Sequence, residues 1–411
     1  MSFQQGLSGL NAASSNLDVI GNNVANASTV GFKSSITQFA DVYASSVAGS
    51  SNTQAGIGVT VTNIDEQFGQ GNISTTNNPL DLAVNGNGFF QISRGSGVAY
   101  TRDGEFQVDA NGFVSNSRGD RLQGYPVNSA GQVQVGATPQ DLQVSTASFS
   151  PQPTTKAAVL ANFNSSAAAL NPANFNYTDS TTYTNTTTVQ VFDSLGNSHN
   201  LSLFLIKSNA AANTWDVRAQ LDGAAVNAGA SVGTVVFNSA GAINTAATTL
   251  PFNLSLTMGS GATTPQAVKL DFTGSTQFGA PFGVTSVTQD GYTAGSLLGY
   301  TISSNGLLSG RYSNGQTRAQ GQIVLASFSD PQGLQNIGNN AWTESFASGQ
   351  PLIGTPGTGT LGALQSGALE QSNVDLTAEL VNMITAQRAY QANAETIKTE
   401  DQLLQTLVSL R

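Results

Sequence analysis

Hydrophobic spacing changes character at the two ends of the chain. From Ser372 to Arg411, apolar or small residues recur in alternating steps of four and three: Leu376, Leu380, Met383, Tyr390, Ala394, Ile397, Leu404 and Val408. Gln387 and Asp401 fill the same frame, and no Gly or Pro interrupts it. A heptad seam held over roughly five heptads predicts a helix that packs against other helices. The first residues carry a weaker version, with Phe3, Leu7, Leu10, Leu17 and Val24 on the same period in a helical segment over 2–28. Ser2 and Gln5 have capping-box spacing there. Gly6, Gly9 and Gly21 each cost this segment up to ~1 kcal/mol against Ala, so it is expected to order only when packed.

Between the ends the pattern turns to β. Residues 29–70 read as irregular, with a Ser/Gly/Ala-rich patch from Ser45 to Gly58. From Gly71 onward, turn chemistry separates short apolar runs. LAVNGNGFFQI (Leu82–Ile92) and VAYTRDGEFQVDANGFVSN (Val98–Asn116) place Asn-Gly and Asp-Gly between alternating strands, a strong hairpin signal. SFSPQP at Ser148–Pro153 marks a boundary. Beyond it, Lys156–Asp290 is Thr/Asn/Ala-rich with its own alternation, including two strands around a turn at Asp193–Asn197. After Gly291 the pattern of short strands and Asn-Gly turns resumes, in GYTISSNGLLSGRYSNGQ (Gly299–Gln316) and the apolar strand GQIVLASF (Gly321–Phe328).

That order (helix, β, different β, β, helix) predicts one domain inserted into a loop of another. The expected fold class is mainly β with α-helical termini: nested β-domains, the outer inserted into the inner, and N- and C-terminal helices paired in a coiled-coil-like terminal domain. In residues, 1–28 with 372–411 form the terminal helical domain and 29–70 with 362–371 an irregular linker region. The inner β-domain comprises 71–147 with 291–361, and the inserted outer β-domain 148–290.

Composition narrows the function. Charged residues are only 9% of the 411 residues, against roughly 25% in an average soluble protein. Neutral polar residues therefore cover the surface, which suits repeated packing against copies of itself because little charge must be desolvated. A net charge of −10 with 14 basic residues and no basic run argues against nucleic acid. The absence of cysteine removes disulfides and thiolate metal sites. No stretch approaches the ~20 apolar residues of a membrane span. The N-terminus lacks a basic region followed by a continuous apolar core, so it is not read as a secretory signal.

Chemistry is thin. No GxxxxGK[ST] or HExxH motif occurs. Asp103, Glu105 and Asp109 are the nearest thing to an acidic cluster, but alternation turns Glu105 and Asp109 to solvent and makes Asp103 a turn residue. His199 is the only histidine and reads as a surface residue beside a turn. The Asn-x-Ser/Thr triplets at Asn164 and Asn176 are expected by chance in so Asn-rich a chain. No catalytic residue, cofactor or metal is expected. The C-terminal seam has two readings: cover for its own domain's core, or contact with other chains. The helix would be about 50 Å long at ~1.5 Å per residue, longer than a small β-domain is wide, which favours contact between chains.

Several stretches resemble the bacterial flagellar rod and hook protein family. The start, MSFQQGLSGLNAASSNLDVIGNNVANASTVGFKSS, is similar to the family's N-terminal signature, with Asn22, Asn23, Asn26, Gly31, Phe32 and Lys33 in its core. The end, Gly367–Arg411, is similar to the C-terminal signature throughout. LAVNGNGFFQI, YTRDGEFQVDANG and GQIVLASFSDPQGL resemble the family's inner β-domain. The size of the inserted region points to the hook branch of the family. The resemblance implies a non-enzymatic subunit that self-assembles into the flagellar hook, a flexible tubular universal joint carrying torque from rod to filament. Terminal helices would line the channel, the inner β-domain would form the wall, and the inserted domain would lie outermost. The assembly residues expected on the helices are Leu7, Leu10, Leu17, Val24, Leu376, Leu380, Met383, Tyr390, Ile397, Leu404 and Val408. Implied partners are the chain itself as a helical homopolymer, the distal rod protein, the hook cap protein, the hook–filament junction proteins and the flagellar type III export apparatus, with no nucleic acid and no membrane insertion. Implied localisation is extracellular, in the hook, after export without a cleaved signal peptide. A distal rod or junction protein is the alternative within the family, and a secreted β-rich glycan-binding or hydrolytic protein the alternative outside it. The Ser45–Gly58 stretch is longer than expected of a short hook protein, and rod relatives carry extra residues near this place.

Overall fold

A computed structural model describes residues 2–42, 56–95, 97–128, 131–259 and 261–409. Among these residues, long helices stand only at the ends: α1, Ser2–Ala25, and α2, Leu376–Ser409. Among the described residues, the regular structure between them is strand, apart from short 3-10 turns. Two compact units result. One takes the residues up to Thr146, Gly299–Arg311 and Thr317 onward; the other takes Ala147–Leu298 and Tyr312–Gln316. The fold is therefore mainly β, with one β-unit inserted in another and with terminal helices that pack on each other.

Both helices are shorter than the apolar spacing alone suggests, and polar capping explains why. At the end of α1 the Asn26 amide donates to the Asn22 carbonyl at 2.9 Å, and the Thr29 hydroxyl donates to Asn26 Oδ1 at 3.2 Å. These side chains offer the backbone a turn in place of another helical residue. At the start of α2, Asp375 Oδ1 accepts from the Thr377 and Ala378 amides at 2.9 and 3.1 Å, an N-cap.

The inserted unit is a β-sandwich. Strand Lys156–Asn164 pairs with Gln266–Asp271 and Thr276–Phe278 in parallel and with Gly283–Gln289 antiparallel. A second sheet runs Asn185–Phe192, Ser198–Lys207, Thr214–Leu221, with Val191 opposite His199. Alternate residues of both sheets, among them Val159, Phe163, Val189, Leu203 and Trp215, fill one core. The Asn-x-Ser/Thr triplets serve as turns: Asn164 and Asn176 accept through Oδ1 from the Ser166 and Thr178 amides.

The other unit contains six strands before the insertion that set up the site: β1 (Ser35–Val42), β2 (Gly58–Glu66), β3 (Ile73–Thr75), β4 (Leu82–Asn85), β5 (Phe89–Arg94) and β6 (Gly97–Thr101). β5 pairs with β6, with Arg121–Tyr125 and with Leu325–Ser327, and β6 pairs with Ala341–Thr343. Phe68, Phe89 and Trp342 meet edge to face at 5.4–5.8 Å. β4 and β3 take Ala363–Ser366 and Ala368–Glu370 as partners, so the chain just before α2 returns to the segment that follows β2.

Residues 29–70 are not irregular. β1 and β2 form an antiparallel ribbon, with Ser35 opposite Glu66 and Val42 opposite Gly58. It lies along α1: Asn23 bonds Ser35 at one end, and Gln5 Nε2 donates to the Gly56 carbonyl at the other. Only one residue of each strand is buried, and a bulge between Gln38 and Phe39 shifts the register, so no clean alternation survives in the sequence pattern. Most of the Ser45–Gly58 stretch falls outside the described residues.

Candidate assembly site

α1 and α2 are antiparallel. Gly6 faces Ile397, Gly9 faces Asn393, and Asn23 donates to Glu379 Oε1 at 3.1 Å. Gly6, Gly9, Ala13, Asn16, Ile20 and Asn23 follow one another at heptad steps, and Ala13, Ile20 and Asn23 are buried. On α2 the matching stripe includes Glu379, Met383, Ala386, Asn393 and Ile397, with Ala386 buried. The seam inside the chain is therefore built mostly from small and polar residues, with Ile20, Met383 and Ile397 among them. The glycines that weaken α1 as a helix are what bring the backbones together: a Cβ on Gly9 would stand 2.8 Å from Asn393 Oδ1, and one on Gly6 3.1 Å from Ile397 Cγ1.

The expected leucine seam lies elsewhere. Of the residues assigned to it, Met383 and Ile397 sit partly covered in the α1–α2 stripe. Leu7, Leu376, Leu380, Leu404 and Val408 are 45–77% exposed and Tyr390 is 37% exposed. Leu10, Leu17 and Val24 are half-buried. Phe3, Val381, Ile384 and Leu403 on the helices, and Ile36, Phe39 and Ile64 on the ribbon, are exposed large apolar residues as well. The structure thus separates two sets that sequence period merged.

The helix pair is tied to the β-strands by a buried ion triad. Glu370 is fully buried. Its Oε1 lies 2.6 Å from Lys33 Nζ and accepts from the Gly71 amide at 2.9 Å. Its Oε2 lies 3.0 Å from Arg102. Lys33 also donates to the Gly69 carbonyl at 2.8 Å, and Arg102 to the Gly86 carbonyl at 2.9 Å. The Arg102 guanidinium stacks 5.3 Å from the Phe89 ring. Burial pulls the Lys33 ammonium below the ordinary lysine value, against the pull of Glu370. Two cations around one anion leave a net positive charge away from water, so Glu370 cannot be removed without leaving both uncompensated.

The N-terminal signature residues surround this triad. Asn23, 1% exposed, bonds Ser35 through both backbone groups, at 2.8 and 2.9 Å. Asn22 accepts from Asn26 at 3.0 Å. Gly31 donates its amide to the Glu370 carbonyl at 2.8 Å with φ +69°, and a Cβ there would meet the Asp103 amide at 2.5 Å, so only glycine fits. Phe32 is half-buried. Sequence reading missed Arg102, Glu370 and Glu379. Glu370 did carry a signal: it is a charge beside Ala368 and Leu369 in a chain that uses few.

Outside this region the candidates for chemistry are accounted for. Asp109 Oδ1 caps the Asn111 and Phe113 amides, Asp103 faces Arg118 at 3.7 Å, and Glu105 is exposed. His199 is not free on the surface. Nδ1 lies 2.5 Å from Asp222 and Nε2 3.3 Å from Asp193. Burial would raise Asp193, yet hydrogen bonds from Asn197, Leu195 and His199 hold it down to about 2. Among the described residues no group of three or more His, Asp or Glu side chains could hold a metal.

Comparison with known proteins covers the chain end to end. Four family descriptions match in succession: "Flagella basal body rod protein" over 3–33, "Flagellar hook protein FlgE/F/G D1 domain" over 83–147, "Flagellar basal body protein FlaE D2 domain" over 162–292 and "Flagellar basal body rod FlgEFG protein C-terminal" over 365–410. The flagellar hook protein FlgE of Escherichia coli K12 is 41% identical over 415 residues, spanning 100% of both chains. That of Borreliella burgdorferi is 34% identical over 442 residues, spanning 100% of this chain and 99% of the other. The crystal structure of the Helicobacter pylori flagellar hook protein FlgE2 shares the fold, with a TM-score of 0.53 at 15% identity over 72% of this chain and 100% of that one.

Proposed function

The chain belongs to the flagellar hook protein family and is a structural subunit of the flagellar hook, and from that premise we propose that its terminal helices are the polymerisation device. One observation carries the reading. The seam between α1 and α2 uses glycine, alanine and asparagine, while Leu7, Leu376, Leu380, Tyr390, Leu404 and Val408 are left facing outward. Large apolar side chains left exposed in such number on an otherwise polar protein mark an interaction site, and in a homopolymer the partner is another copy. Leu10, Leu17 and Val24 join it from α1, whereas Met383 and Ile397 serve mainly the seam within the chain.

The triad of Lys33, Arg102 and Glu370 then transmits force. It couples the residue that follows α1's terminal turn, the one ahead of α2 and the β6 hairpin at one buried point. The charge-poor, Ser/Thr/Asn-rich β-faces contain few discrete ion pairs to break when neighbouring subunits change spacing, which suits a flexible joint and no catalytic role. Delivery through the flagellar type III apparatus without cleavage fits α1, since Ala13, Ile20 and Asn23 are built into the fold. Contacts with distal rod, hook cap and hook–filament junction proteins belong to the same proposal.

Electron microscopy of the purified chain after salt-induced polymerisation tests the device, beside a chain ending at Asn373, which keeps the triad and removes α2. Curved tubes from the full chain only are expected. Tubes of both would overturn it.

A further inference from the structure

The helix pair has two unlike ends. With Gly6 at Ile397 and Asn23 at Glu379, the antiparallel register sets Ser2 near Asp401. The turns from Gln402 to Ser409 therefore run about 12 Å past α1, at ~1.5 Å per residue. They carry Leu403, Leu404 and Val408 at 59%, 53% and 77% exposure. Toward the other end, α1, α2 and β1 enclose a groove of about 360 Å³ whose apolar lining comes from Val19, Ile20, Ile36, Phe39, Ala386 and Ala389. Thr37 also lines it, and its buried hydroxyl has no hydrogen-bond partner among the described residues.

These surfaces cannot meet within one chain. Ala389 and Leu403 are fixed about 21 Å apart along a single helix at ~1.5 Å per residue. Each offers apolar side chains, one convex and one concave, on the element that already forms the subunit's helix seam, and the groove adds the polar Asn16, Ser35, Glu379, Asn382 and Thr385 to its lining. We infer that the overhanging turns of α2 from one copy seat in the α1–α2–β1 groove of the next. The inference rests on the assembly reading above and adds direction to it. Because the two surfaces differ, the contact is heterologous, and repeating it without closure generates an open filament with distinct ends. A two-turn apolar helix in a groove is also a recurrent mode of helix recognition. The incoming turns can offer Gln402 or Gln405 to the Thr37 hydroxyl.

Two variants separate the halves of the contact. Val408→Asp spoils the overhang and leaves the groove; Ala389→Arg fills the groove and leaves the overhang. Both positions are exposed, so folding is spared. Under conditions where the unaltered chain forms tubes, each variant alone is expected to sediment as a single chain. Their equimolar mixture is expected to give two-chain complexes and no tubes, since only one productive contact exists between them. That mixture also reports folding, because an unfolded variant could not complement the other. Added at a few per cent to the unaltered chain, Val408→Asp is expected to shorten the tubes by entering through its groove and offering nothing onward. Tubes from either variant alone, or a mixture that stays single-chain, would overturn the pairing. Unaltered chain that forms tubes while both variants do so too would remove this contact and leave helix-driven assembly standing; failure of the unaltered chain to polymerise would remove both.

Discussion

The inserted β-sandwich and the terminal helix pair solve burial in opposite ways. In the sandwich Phe163, Trp215 and Phe272 are fully buried, and its two sheets complete each other. In the helix pair the covered residues are mostly small, and the large apolar ones look outward. The first region is finished by its own chain. The second, on the assembly reading proposed above, is finished by its neighbours. A heptad pattern therefore does not say which partner a seam serves: here the glycines lie in the seam within the chain, and the exposed leucines are the ones proposed for the assembly.

The sharpest break in that contrast comes from the outward row. Leu380→Asp combined with Ile384→Asp changes two residues that are about half exposed, so monomer stability should move by no more than about 0.5 kcal/mol while tube formation is lost. Normal tubes by electron microscopy would place the assembly surface elsewhere. Next in size is the triad. Glu370→Gln leaves Lys33 and Arg102 buried without an anion, and the unit that carries the helices should lose about 3–5 kcal/mol in urea unfolding. The sandwich transition should stay where it was. Replacing all three charges with Met is expected to recover much of the loss, because packed apolar side chains avoid the desolvation cost.

The seam gives a smaller effect. Gly9→Leu raises helix propensity yet drives a side chain into Asn393, so overpacking of about 1–3 kcal/mol should outweigh the gain of under 1 kcal/mol. A more helical, better-ordered pair by circular dichroism would show that close approach at Gly9 is dispensable. The smallest prediction concerns His199. Hydrogen bonding to Asp222 raises its folded value above 6.5, with Asp193 adding to the shift. A raised histidine contributes stability that is complete below the unfolded value and lost as pH rises through the folded one. The melting temperature of the sandwich should thus fall modestly as pH climbs past 6.5. His199→Asn should flatten that slope and leave the helix pair unaffected.

Much of this contrast was legible in the residues. Asn-Gly and Asp-Gly turns marked the strands, and the shift in composition at Ser148–Pro153 and again after Gly291 marked the insertion. Period alone found both helices because a heptad spans any partner. It could not tell which face meets which partner, since Gly6 and Gly9 look like helix defects until Ile397 and Asn393 stand against them. The β1–β2 ribbon stayed hidden because each strand buries a single residue and a bulge at Gln38 and Phe39 breaks the alternation. The triad was out of reach for a different reason: Lys33, Arg102 and Glu370 are brought together across 337 positions of sequence, and nothing local to each says that the others are near.

Hydrogen exchange compared between dilute single chains and assembled tubes tests the central claim most directly. The account predicts a large gain in amide protection across Leu376–Ser409 and Ser2–Ala25 on assembly, with Ser198–Lys207 and Thr214–Leu221 equally protected in both states. Terminal helices already as protected in the single chain as in the tube would contradict it.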